Sequence, residues 1–194
     1  MLRAFIAIEV PIEVQRAIAG STAALKSALP KPLIRWVAPQ NVHLTLKFLG
    51  DVSHTALEEL AETLKVEVCS YSMFSVLVGG LGAFPTPRRP RVIWIGLETP
   101  PALQALQRGV EMVAARLGYT PEERPFSSHL TIGRVSQKVS ASDFQRIRSM
   151  LESTKVGALG TLRVEAVHIF KSDLLPGGSV YTHLYALPMK SDQH

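Results

Sequence analysis

Trp36-Val37-Ala38-Pro39-Gln40-Asn41-Val42-His43-Leu44-Thr45-Leu46 finds a counterpart in Arg124-Pro125-Phe126-Ser127-Ser128-His129-Leu130-Thr131-Ile132, the two histidines lying 86 positions apart. Each stretch carries a proline and an aromatic residue ahead of His-Leu-Thr-aliphatic. Each is followed by a short polar turn and a helical pattern, whose first large apolar residue is Leu57 in one copy and Phe144 in the other, 14 and 15 residues past the histidine. Self-similarity at this separation reads as one strand-turn-helix unit used twice. The two histidines should then be related by an approximate two-fold axis.

Working outward from these stretches, four segments have helical spacing. Val14, Ile18, Leu25 and Leu29 lie between Pro11 and Pro30, and Leu57, Leu60, Ala61, Leu64 and Val68 follow a Ser53 cap. Leu103, Leu106, Val110, Val113 and Leu117 run from Pro100-Pro101 to Gly118, and Phe144, Ile147 and Leu151 start near Ser140 or Ser142. Strands are predicted over 3–9, 34–37, 42–49, 74–78, 91–97, 129–135, 162–170 and 181–187, with Phe84-Pro85-Thr86-Pro87-Arg88-Arg89-Pro90 as a loop because proline is excluded from central strands. Eight strands and four helices suffice for an α+β domain of two sheets with helices packed outside, one bilobal unit spanning 1–194.

The 194 residues are 46% hydrophobic and 19% charged, an ordinary globular balance that argues against a disordered or fibrous chain. The net charge of +5, with 13 arginines among the 21 basic residues, leans toward a polyanionic partner. A lone Cys69 rules out a disulfide framework, a CxxC redox pair and a thiolate zinc site within the chain, and makes the cytoplasm the expected compartment. Cys69 itself reads as a buried, inert thiol on a helix. The segment 1–10 is too short for a signal peptide and carries Glu9, and no stretch approaches a bilayer span, so no membrane is expected.

In an extended strand alternate side chains share a face, which puts His43, Thr45 and Lys47 on one side and His129 with Thr131 on another. Two such faces across a groove would bring two imidazoles and two hydroxyls around one small volume. Opening a phosphodiester needs a base for the attacking water and an acid for the leaving oxygen, and histidine serves for either near neutral pH. The threonines would hold the non-bridging oxygens, and Lys47 or Arg134 would supply positive charge; Arg134 is off the parity of His129 and Thr131 unless a bulge intervenes, which Gly133 would permit. With 11 threonines in the chain, about 0.3 His-x-Thr pairs are expected by chance against two found. No metal or other cofactor is required, and neither histidine has a neighbouring Asp, Glu or His at ligand spacing. His54 belongs to a helix start, His168 and His183 to late strands as structural residues at or near the groove, and His194 to the chain end. Arg88, Arg89 and Arg91 read as a solvated loop that could meet an RNA strand, and Trp36 and Phe126 as core or groove wall.

The two motifs, His43-Leu44-Thr45-Leu46 and His129-Leu130-Thr131-Ile132, resemble those of the two-histidine phosphoesterase superfamily. Arg35-Trp36-Val37, Asn41-Val42, Lys47-Phe48-Leu49-Gly50, Pro90 to Trp94, and Lys171-Ser172 with Pro176, Gly178 and Tyr181 look like its RNA 2′,3′-cyclic phosphodiesterase branch, also called the 2′-5′ RNA ligase family. The resemblance implies two antiparallel sheets facing a central groove with pseudo-two-fold symmetry. It implies metal-independent hydrolysis of RNA 2′,3′-cyclic phosphate to a 2′-phosphate, with His43 as proton donor and His129 as acceptor, and it brings in Tyr181 as a substrate contact beside Arg88 and Arg89. RNA ending in a cyclic phosphate, including tRNA fragments, is the expected partner of a monomer. Alternatives at the same site are 2′-5′ RNA ligation or cleavage and small cyclic-nucleotide hydrolysis; outside enzymes, a non-catalytic RNA-binding module.

Overall fold

The computed structural model describes residues 1–29, 33–175 and 178–191. Pro30, Pro176 and His194, singled out above, lie outside the described residues. β1 (Leu2–Glu9) leads into α1 (Ile12–Ser27), β2 (Ile34–Trp36), a 3-10 turn at Pro39–Asn41, β3 (His43–Val52) and α2 (His54–Val68). β4 (Phe74–Phe84) and β5 (Val92–Leu97) form a hairpin, followed by α3 (Pro101–Arg116), β6 (His129–Val135), α4 (Ala141–Ser153), β7 (Ala158–Val164), β8 (Ala166–Leu175) and β9 (Gly178–Pro188). The helices start where the sequence places their caps. The Ser53 hydroxyl accepts from the Ala56 amide, and Ser140 and Asp143 form a reciprocal capping box.

Among the described residues the fold is α+β with four helices and a nine-stranded antiparallel sheet in the order β7-β4-β5-β6-β3-β1-β8-β9, β2 adding to β6. This order is a palindrome about β6 and β3: β5, β4 and β7 flank one side as β1, β8 and β9 flank the other. Each half is one lobe. At the centre, β3 and β6 join the lobes through one registered pair, Leu44 with Leu130, so the expected two sheets are the arms of one curled sheet; a second bridge, Ser72 with Lys190, links the chain before β4 to the chain after β9. The predicted strand over 162–170 is two strands, because the chain leaves β7 at Val164 and enters β8 at Ala166, crossing from one half of the sheet to the other. Apolar alternation runs unbroken through the exposed Glu165, and no glycine or proline marks the crossing.

One face of the sheet packs on the helices. Ile6, Ile8, Leu44, Leu46, Leu130 and Ile132 meet Val14, Leu60, Leu64, Leu106, Val110 and Ile147 in one continuous core. Full burial of such side chains contributes roughly 1.5–3 kcal/mol each. The opposite face carries a small separate cluster of Phe5, Ala7 and Phe170, with Tyr181 against it. No helix among the described residues is long and apolar enough to cross a membrane.

Candidate active site

His43 and His129 are the first residues of β3 and β6. With Leu44 paired to Leu130, the antiparallel register sets His43 opposite Thr131 and Thr45 opposite His129. The strands overlap only at these motif residues, since each runs away from the other beyond them. Diagonal positions on adjacent strands put the two histidine Cβ atoms roughly 7–8 Å apart, room for a phosphate between the rings.

Both imidazoles are held the same way. His43 Nδ1 lies 2.9 Å from the Asn41 carbonyl, and His129 Nδ1 lies 2.7 Å from the Ser127 carbonyl, each two residues upstream. A carbonyl only accepts, so Nδ1 carries the proton and donates, which leaves Nε2 of each ring as the working nitrogen. Neither Thr45 nor Thr131 has a hydroxyl hydrogen bond among the described residues, so both remain available to an incoming oxyanion.

Aromatic rings fix the imidazole planes. Phe5 stacks on His43 with centroids 4.7 Å apart, and Tyr181 meets the same ring edge-on at 5.2 Å. Phe84 meets His129 edge-on at 5.0 Å. Burial, with smaller contributions from the Arg134 and His129 charges, pushes the His43 pKa down to about 4, against the opposing pull of the Asn41 carbonyl. A cavity of about 360 Å³ opens beside His43, lined in part by Phe5, Gln40, Asn41, Phe170, Tyr181 and His183. A second, of about 590 Å³, runs from Asn41 and Tyr181 to Trp36 and Arg134.

Two β-bulges decide which basic residue joins the histidines. Between β5 and β6, Trp94 pairs with Thr131 and Ile93 with Gly133, so Ile132 is the extra residue and Arg134 returns to the histidine face. Between β1 and β3, Ala7 pairs with Thr45 and Ile6 with Lys47, so Leu46 is extra and the parity flips one step early for lysine. Lys47 therefore turns away from the site, which corrects its expected role. It is 5% exposed, with Nζ 2.6 Å from Glu111 and 2.9 Å from the Thr120 carbonyl. Phe48, the counterpart of Arg134 one repeat earlier, takes the exposed position near Phe5.

Arg88 and Arg89 are not brought to the histidines. They line a separate cleft of about 620 Å³ between the Pro-rich loop and α4, where Arg91 lies over the Phe144 ring. Tyr181 and Trp36 do border the groove, and Phe126 packs against the core. Cys69, expected to be buried, is exposed at the end of α2. Phe5 and Phe170 were not legible as site residues: β1 is apolar on both faces, so alternation gave no sign that Phe5 and Ala7 face the groove while Ile6 and Ile8 face the core.

The chain is 33% identical over 183 residues to an RNA 2′,3′-cyclic phosphodiesterase of Methanothermobacter thermautotrophicus, covering 94% of this chain and 96% of that one. It is 31% identical over 185 residues to a protein of the same name from Thermotoga maritima, with 95% and 94% covered. The crystal structure of E. coli LigT complexed with 3′-AMP superposes with a TM-score of 0.76 at 27% identity, over 97% of this chain and 98% of the other. The model of the LigT-like phosphoesterase family matches twice in succession, over residues 8–94 and 95–181, one histidine motif falling in each match. The repeated strand with its histidine, threonine and bulge is thus the repeat of a known family, and this chain belongs to the LigT-like phosphoesterases.

Proposed function

We propose that this chain hydrolyses 2′,3′-cyclic phosphate ends of RNA to 2′-phosphomonoesters, by general acid-base catalysis between His43 and His129 and without a metal in the reaction. The observation that carries the reading is the mirrored pair of His-x-Thr segments at the β3–β6 seam between the two lobes, each imidazole fixed through Nδ1. The names of the relatives from Methanothermobacter and Thermotoga support the substrate.

In this reading the cyclic phosphate lies between the rings. His129 Nε2 takes a proton from water as its oxygen bonds to phosphorus. The bond to the 3′ oxygen breaks on the opposite side, and His43 delivers a proton to that oxygen. Thr45 and Thr131 hydroxyls donate to the non-bridging oxygens, and the Arg134 guanidinium offsets the charge that builds on them. With the groove empty, burial keeps His43 neutral. The phosphate's negative charge raises its proton affinity, so the acid is loaded as substrate arrives.

The test is hydrolysis of an oligoribonucleotide ending in a 2′,3′-cyclic phosphate, in the presence of a chelator, with the product's phosphate located. A 2′-phosphate formed at an undiminished rate is expected. A 3′-phosphate product, or loss of turnover on chelation restored by a dication, would rule the proposal out.

A further inference from the structure

We infer that Glu9, His168 and His183 form a binding site for one borderline transition-metal dication of the zinc, copper and nickel class, beside the groove and outside the proton-transfer pair. The sheet assembles them from three strands. Phe5 pairs with Phe170 and Ala7 with His168, and Phe170 in turn pairs with His183, so all lie on the groove face. Glu9 is two residues beyond Ala7 on the same face of β1. His168 Nδ1 is 2.8 Å from His183 Nε2, and His168 Nε2 is 3.9 Å from Glu9 Oε2. One ligand atom from each residue falls within 4.8 Å of the other two.

The hydrogen bond between two neutral imidazoles uses one N–H and one lone pair, so taking up an ion breaks this bond and turns a lone pair of each ring toward the carboxylate. Zinc at ~2.0–2.1 Å from each donor sets ligand atoms about 3.3 Å apart, reached by rotating the exposed Glu9 and His183 side chains about the partly buried His168. Two imidazoles and one carboxylate suit zinc, copper or nickel and do not suit magnesium or calcium, which want oxygen cages. Remaining coordination positions would be open to water. Sequence spacing could not show this site, because its members sit at positions 9, 168 and 183 and meet only through strand pairing. His43 is not among the ligands: Glu9 pairs with His43 across β1 and β3 and both border one cavity, while the rings of Phe5 and Phe170 stand between His43 and His168.

Zinc titrated into chelator-stripped protein against a chromophoric competitor tests the site, with cobalt absorption as a second reading. One equivalent should bind in the micromolar range or tighter and resist a large excess of magnesium. His183→Asn, at an exposed position, should weaken it by about tenfold or more and abolish the cobalt band, and His168→Asn should do the same. His43→Asn/His129→Asn and Cys69→Ser should leave the affinity unchanged. No saturable zinc uptake by the wild type, or wild-type affinity in His183→Asn, would overturn the inference. Either result leaves the hydrolytic proposal standing, because that is read from product and rate in the presence of chelator.

Discussion

His43 is the residue whose protonation most directly links the site to the stability of the fold. Its pKa is 6.5 when solvated and about 4 in the folded chain, so between these values the unfolded state binds more protons than the native one. Stability is therefore lost as pH falls from 6.5 toward 4, with no further contribution from this group below that. The loss is at most about 3 kcal/mol. His43→Asn should flatten this limb in denaturant titrations across that window, and an unchanged acid limb would contradict the burial argument. The same depressed pKa predicts that a phosphate-ended nucleotide takes up a proton on binding, because the anion raises it. Affinity should rise as pH falls from 7 toward 5 in the wild type and lose that slope in His43→Asn, as calorimetry in two buffers would show. Lys47 is the converse case, a motif neighbour whose work is structural. Lys47→Ala strands Glu111 and the Thr120 carbonyl without their cation, and should lower stability by roughly 3 kcal/mol. Turnover per folded molecule should be retained; a selective loss of kcat would return Lys47 to the chemistry.

At the scale of the strand, the two bulges are what convert a legible motif into a site. Histidine, threonine and their shared face could be read from a period of two. The side taken by residues after the threonine could not, because each extra residue inverts the parity of those that follow it. Gly133 made a bulge readable in the second copy and so kept Arg134 in view. Nothing comparable marked Leu46, so Lys47 was assigned to the wrong face. The glycine is also required by space: a Cβ at Gly133 would stand 2.7 Å from Ile34 Cγ2 and 3.1 Å from the Trp36 ring. Gly133→Ala should destabilise by about 1–3 kcal/mol and, by shifting β2 and the bulge, reduce phosphate affinity through Arg134. A thermal melt together with KM measurements checks both halves, and wild-type values for the two would show that the bulge tolerates a side chain.

Over the whole molecule, the repeat of 86 residues gave the two-fold plan, the four helices and the pairing of the histidines, because duplication is visible in sequence order. What was hidden depends on contacts between distant segments: the crossing at Glu165 that sends β7 and β8 to opposite halves of the sheet, the β3–β6 seam between the lobes, and the aromatic clamp of Phe5, Phe170 and Tyr181. The symmetry is broken at the two histidines. Arg134 faces the groove in one copy and Phe48 in the other, and aromatic rings crowd His43 more than His129. Two equivalent histidines would have equivalent proton affinities, whereas an in-line reaction needs a donor and an acceptor. The central claim is that both imidazoles move protons in one displacement, and the rate of opening of a cyclic-phosphate-ended oligoribonucleotide by His43→Ala and His129→Ala, each checked for folding, tests it most directly. Each variant should lose about 10²–10⁴-fold in rate with substrate affinity largely kept; a near-wild-type rate in either one would rule out the paired proton transfer.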